Sequence, residues 1–178
     1  MLRKINTILS ILLLLIFLIH GVLGSFMLIG IGSVPGKVLA WMGVVILAAH
    51  TIIGVILTIK TLRRGKGNYY VRQNAVFWAR RISGFGILIL LFFHIGLFGG
   101  IQDGAYILFP FTTVRFIAQM LLVAVFFVHL FLNIRPLLVS LGILKYKERQ
   151  GDIFLILSVL LLFIAGAVII YYIGWQTI

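Results

Sequence analysis

Five apolar runs, each long enough to cross a bilayer, constrain this chain more than anything else in it. They extend from about Ile5 to Ile31, Val38 to Ile59, Val76 to Gly100, Phe111 to Ile134 and Ile153 to Trp175. A helix rises about 1.5 Å per residue, so about 20 apolar residues cover the roughly 30 Å of hydrocarbon while pairing every backbone N–H and C=O internally. The runs predict an all-α polytopic membrane protein: one domain, residues 1–178, with five transmembrane helices, the first four forming a four-helix bundle. Between them lie a Gly/Ser/Pro turn (Gly30 to Gly36), a basic stretch (Lys60 to Arg72), a polar turn (Gln102-Asp103-Gly104) and a basic loop (Lys145 to Asp152). Each carries the glycine, proline or charge expected outside lipid.

The net charge of +12 has its cause in topology. With the N-terminus in the cytoplasm, thirteen basic residues fall on the cytoplasmic side: Arg3, Lys4, Lys60, Arg63, Arg64, Lys66, Arg72, Arg80, Arg81, Arg135, Lys145, Lys147 and Arg149. Only Lys37 and Arg115 fall on the other. The positive-inside rule then places the chain in the cell membrane with its N-terminus cytoplasmic and its C-terminus outside. Because the basic residues cluster at the ends of apolar runs and not along a soluble face, no nucleic acid partner is expected. Met1-Leu2-Arg3-Lys4 resembles the basic start of a signal peptide, but the apolar stretch behind it is too long and lacks a small-x-small cleavage site, so it is read as a retained first helix. With no cysteine, thiolate-bound iron–sulfur clusters, thioether-linked haem and disulfides are excluded. With no GxGxxG loop, flavin or nicotinamide chemistry belongs to another chain.

Four histidines, His20, His50, His94 and His129, stand one on each of the first four spans. An imidazole in hydrocarbon is costly unless its ring nitrogens are satisfied, so four together point to joint use. Counted from the nearest cytoplasmic basic residue, His20 lies about 24 Å deep and His94 about 20 Å, against about 15 Å for His50 and about 9 Å for His129. They sort into an outer pair, His20 with His94, and an inner pair, His50 with His129, each on parallel helices that lie diagonally in a simple bundle. Two bis-histidine haem sites stacked across the membrane explain all four at once. Zinc would need three or four ligands converging on one point, which the two depths forbid. A helix-to-helix hydrogen-bonding or proton-relay role without metal is the competing reading. A faint repeat points the same way: Phe17-Leu18-Ile19-His20-Gly21 lies against Leu91-Phe92-Phe93-His94-Ile95, and the second histidine of each hairpin recurs after a similar interval.

Other residues attach to this reading. Gly21, Gly24, Ala48, Ala49 and Gly96 flank the ligands, where small side chains admit a flat macrocycle or simply pack helices. Asn133 follows His129 by one turn and faces either the same ligand or a neighbouring carbonyl. Arg80, Arg81 and Arg135, near the basic end, combine topology with a capacity to bind haem propionates through bidentate guanidinium hydrogen bonds, a role that Arg63 and Arg64 share as candidates. Arg115 lies against the charge bias, which suits an outer propionate. Asp103 is the sole acid on the outer side and is a candidate for proton exchange with quinone, although aspartate before glycine also simply makes a turn.

Arg80-Arg81-Ile82-Ser83-Gly84, running through apolar residues to His94, resembles the Arg-x-Ser-Gly signature that starts a membrane helix in the cytochrome b subunits of succinate dehydrogenase and fumarate reductase. Five helices with one histidine on each of the first four are similar to the single-chain dihaem form of those anchors, over nearly the whole chain. The resemblance implies two b haems, His20 with His94 holding the distal one and His50 with His129 the proximal one. It also implies a flavoprotein and an iron–sulfur subunit on the cytoplasmic side, and a membrane quinone, menaquinone or ubiquinone, as electron partner. The signature opens the third span here and the first in single-haem relatives, so no quinone-site role is carried onto Arg81 or Ser83. The spans also hold no glutamate to match the membrane acid of some members. The open alternatives are a dihaem anchor for another dehydrogenase or reductase, a haem protein passing electrons to external metal, and a haem-free histidine-lined transporter.

Overall fold

The computed structural model describes residues 1–31, 36–64, 72–103, 105–145 and 151–177. Residues 32–35 of the first predicted turn, 65–71 of the basic stretch with Lys66, Gly104, and 146–150 with Lys147 and Arg149 lie outside the described residues. Five helices form: α1 (Leu2–Leu28), α2 (Gly36–Arg64), α3 (Ala75–His94), α4 (Thr113–Ser140) and α5 (Gly151–Gln176). All five are long and apolar enough to cross a membrane.

Two boundaries differ from the sequence expectation for physical reasons. The third helix stops at His94 and not at Gly100, because Gly96 adopts φ +74°, a left-handed conformation that ends the helix, and Leu97 N–H turns back to the His94 carbonyl at 3.1 Å. What was read as a polar turn is a small antiparallel ribbon, β1 (Gly99–Gln102) with β2 (Ala105–Leu108), in register Gly99 with Leu108 and Gln102 with Ala105. Asp103 occupies its tip at φ +50°, exposed, as a two-residue Asp-Gly connection requires. The fourth helix also runs past Ile134, through Pro136 to Ser140.

Helix packing is set by shape, since lipid removes the hydrophobic drive between helices. α1 packs along α2 and α3 along α4, giving two helical hairpins; α5 lies against both α1 and α4 and joins them. Among the described residues, α2 and α3 do not pack on each other and α1 only brushes α4. The expected closed four-helix bundle is therefore only partly formed: the hairpins stay apart on the α2/α3 side and the fifth helix closes the other. Leu130 and Ile134 of α4 pack with Leu157 and Leu161 of α5, and Leu14 and Leu18 of α1 complete this cluster. A second cluster at the ribbon end gathers Leu97, Phe111 and Val168 with Phe98, Tyr171 and Trp175. Gly21 permits the α1–α5 approach, for a Cβ there would meet Ile164 Cδ1 at 2.7 Å.

Candidate functional site

The four histidines are each half-buried and turn inward from the two hairpins. His20 of α1 faces His94 of α3 with ring centres 6.1 Å apart and planes at 85°. A metal between two imidazoles needs about the same separation, roughly 6 Å once two metal–nitrogen bonds of about 2 Å and two ring half-widths are added. His50 of α2 and His129 of α4 lie within electrostatic reach of each other at the other end of the hairpins, where α2 finishes in Arg63 and Arg64. The structure thus brings together His20 with His94, and His50 with His129, across the gap between the hairpins. Among the described residues, no group of three or more His, Cys, Asp or Glu side chains converges as a site for a bare metal ion would require.

The ring nitrogens carry the chemical information. His94 Nδ1–H donates to Gln119 Oε1 of α4 at 2.8 Å. Ser83 Oγ of α3 lies 3.0 Å from His129 Nδ1, and Ser10 Oγ of α1 lies 3.5 Å from His50 Nδ1. A serine hydroxyl has one proton to give. Ser10 gives its own to the Asn6 carbonyl at 2.8 Å, whereas Ser83 lies between the Arg80 carbonyl at 3.3 Å and the closer His129 Nδ1 and can give its proton to either. The Ser10 hydroxyl is therefore left as an acceptor, and an amide oxygen only ever accepts. Beside Ser83, His129 takes either tautomer; the assignment consistent with Ser10 and Gln119 puts a proton on Nδ1 of His50 and His94 and leaves the Nε2 of each with a lone pair. That is the tautomer of a neutral histidine ready to ligate a metal through Nε2. Gly84 gives His129 its room, since a Cβ there would stand 3.1 Å from His129 Cε1.

The donor set fits a bis-histidine haem at each pair, in which His20 with His94 and His50 with His129 would hold the iron. Ser83 and Gly84, the last two residues of the Arg-x-Ser-Gly stretch, both serve His129. Ser10 and Gln119 were missed by sequence reading. For Gln119 the signal was present: an amide about two turns inside an apolar helix must find a partner.

The arginines have protein partners of their own. Pro136 has no N–H for the Leu132 carbonyl one turn before it, and Arg80 Nε donates to that carbonyl at 2.9 Å. An orphaned buried carbonyl costs about 1–3 kcal/mol, so Arg80 ties α3 to α4 at a point where α4 needs it. Arg81 stacks its guanidinium 3.6 Å over the Phe77 ring, donates to the Phe77 carbonyl, and reaches Thr58 of α2 at 3.3 Å. Arg115 donates through Nη1 to the Leu97 and Pro110 carbonyls at 3.3 and 3.1 Å and closes the base of the ribbon beside His94. Arg135 is exposed next to Pro136. Asn133 donates back to the His129 carbonyl at 2.7 Å. The chain matches no family model, no curated protein and no solved structure.

Proposed function

We propose that this chain is the cytochrome b membrane anchor of a succinate dehydrogenase or fumarate reductase complex. On this reading it relays electrons between a cytoplasmic iron–sulfur subunit, itself joined to a flavoprotein, and a membrane quinone, menaquinone or ubiquinone. The observation that carries the proposal is the placement of four histidines on four helices, His20 facing His94 and His50 within electrostatic reach of His129, with Nδ1 of His50 and His94 hydrogen-bonded so that Nε2 is open. A helix-to-helix hydrogen-bonding role accounts for the Nδ1 contacts, each of which crosses to a neighbouring helix, whereas haem ligation also uses the Nε2 atoms that those contacts leave open. Each bound haem supplies a one-electron Fe(III)/Fe(II) couple. The chain's own part is to provide axial imidazoles, to exclude water and to set the local charge. His50 and His129 stand nearer the basic end, read as cytoplasmic, where the iron–sulfur subunit docks; His20 and His94 stand nearer the ribbon. Arg80, Arg81, Arg115 and Arg135 keep donors close to the two ends for propionates.

The test is haem stoichiometry in the protein purified from its native membrane. Pyridine haemochrome assay is expected to give about two b haems per chain, low-spin in the reduced-minus-oxidised spectrum, with flavoprotein and iron–sulfur subunits co-purifying. No haem would refute the reading; haem with a different set of partner subunits would keep the dihaem anchor and reassign the enzyme.

The same reading puts quinone exchange at the ribbon end, because a second haem beyond the first is useful only when the terminal exchange happens farther out. Asp103 is the acid there. Asp103→Asn is expected to slow quinone-linked turnover by about tenfold or more, at the low end for general acid–base catalysis because water reaches an exposed tip. Turnover with a dye that takes electrons from the soluble subunits stays unchanged. Equal quinone turnover would leave Asp103 with its turn alone.

A further inference from the structure

The orienting partners of the histidines are not equivalent. Ser83 and Ser10 share their oxygens with a carbonyl of their own helix, and the Ser10 contact is long. Gln119 is different: only 7% exposed, it meets His94 at 2.8 Å from the facing helix through an amide oxygen that can only accept. Phe98 packs edge-on against the His94 ring at 5.9 Å, but among the described residues no hydrogen bond is directed to His20, and Gln119 supplies the side-chain hydrogen bond to the His20–His94 pair. The helices also trade services. α3 carries His94 and the serine that holds His129, while α4 carries His129 and the glutamine that holds His94. On each helix the two residues stand about 15 Å apart, one at each histidine pair.

We infer that Gln119 is the positioning residue of the ribbon-end haem and sets its redox potential through His94. The inference rests on the haem reading above. By accepting the Nδ1 proton, the amide oxygen shifts electron density toward Nε2 and makes His94 a stronger donor to iron, which favours the ferric state and lowers the potential. The same hydrogen bond locks the ring about its Cβ–Cγ axis, 6.1 Å from the His20 ring. A mere staple between α3 and α4 would hold the helices without any graded effect on one haem.

Two variants separate these roles: Gln119→Leu, which keeps the volume and removes the acceptor, and Gln119→Glu, which keeps the acceptor and strengthens it. Potentiometric titration of the complete complex, read at the two haem bands, is expected to move the ribbon-end haem up in Gln119→Leu and down in Gln119→Glu. The basic-end haem stays where it was. Haem transfer to apomyoglobin from the Gln119→Leu protein is expected to show affinity at that site falling about 10- to 100-fold, the usual cost of losing such a partner. If Gln119→Leu loses the haem altogether, a Gln119→Glu protein that retains it at a lowered potential supports the inference, and one that loses it equally overturns it. Two haems in every variant with unmoved potentials, or both shifts in one direction, also overturn it while leaving the proposed function intact. Absence of haem from the unaltered protein overturns both.

Discussion

Replacing His20 or His94 by alanine removes one and the same haem, and replacing His50 or His129 removes the other. The expectation follows from geometry and from depth together. His20 and His94 face each other at 6.1 Å on α1 and α3, and His50 of α2 lies within electrostatic reach of His129 of α4 at the opposite end of the hairpins. A bis-histidine iron that loses one imidazole keeps a single protein ligand, and b-type haem has no covalent tether, so occupancy at that site collapses and does not merely weaken. Stoichiometry is expected to fall from about two to about one per chain in each single variant, with the surviving spectral component shared within a pair and different between pairs. A double His20→Ala, His94→Ala protein is expected to look like either single. Loss of the same component in His20 and His50 variants would break the pairing, and four variants that each keep both haems would remove the imidazoles from the metal. The membrane fold itself is expected to survive, because the helices are specified by apolar length and each substitution removes one interhelical hydrogen bond at most.

The helices were legible because apolar length alone specifies a span, and counting residues from the basic ends put His20 with His94, whose rings lie 6.1 Å apart. The end of α3 was less so. Ile95, Leu97 and Phe98 continue the apolar run past His94, and only Gly96, Gly99 and Gly100 reveal that the backbone has left the helix. The open bundle could not be read, since helices such as α2 and α5 are apolar all round and carry no stripe that says which face meets which neighbour. The orienting residues depend on helix rotation for the same reason. Ser10 reaches His50, and Gln119 reaches His94, only because particular faces of α1 and α4 turn inward. Arg80 illustrates half of each case. That Pro136 frees the Leu132 carbonyl is arithmetic on the sequence, whereas the choice of Arg80 as its donor is a matter of how α3 packs on α4.

Gly84 offers the sharpest probe of the basic-end site, because the space it leaves is filled by a ligand ring. A Cβ at this position would stand 3.1 Å from His129 Cε1 and 3.5 Å from Nδ1. The ring cannot retreat freely, for Ser83, the preceding residue, holds Nδ1 at 3.0 Å, so the added atoms push on the ring against its own hydrogen bond. Alanine asks for a shift of a few tenths of an ångström, and Gly84→Ala is expected to retain both haems with an altered band at the basic end. Valine adds two methyl groups to the same contact. Overpacking of this kind costs about 1–3 kcal/mol, which a tilt of the imidazole relieves only by turning Nε2 off the line toward His50. Gly84→Val is therefore expected to lose the basic-end haem and keep the ribbon-end haem, giving about one haem per chain. Gly86, half a turn further along α3, provides the control: a Cβ there meets Val125 Cγ1 at 3.2 Å, so Gly86→Val crowds the same α3–α4 interface without touching a histidine. If Gly86→Val and Gly84→Val depleted the basic-end haem equally, the effect would belong to helix spacing; retention of both haems in Gly84→Val would show that His129 does not need the position in which Ser83 and Gly84 hold it.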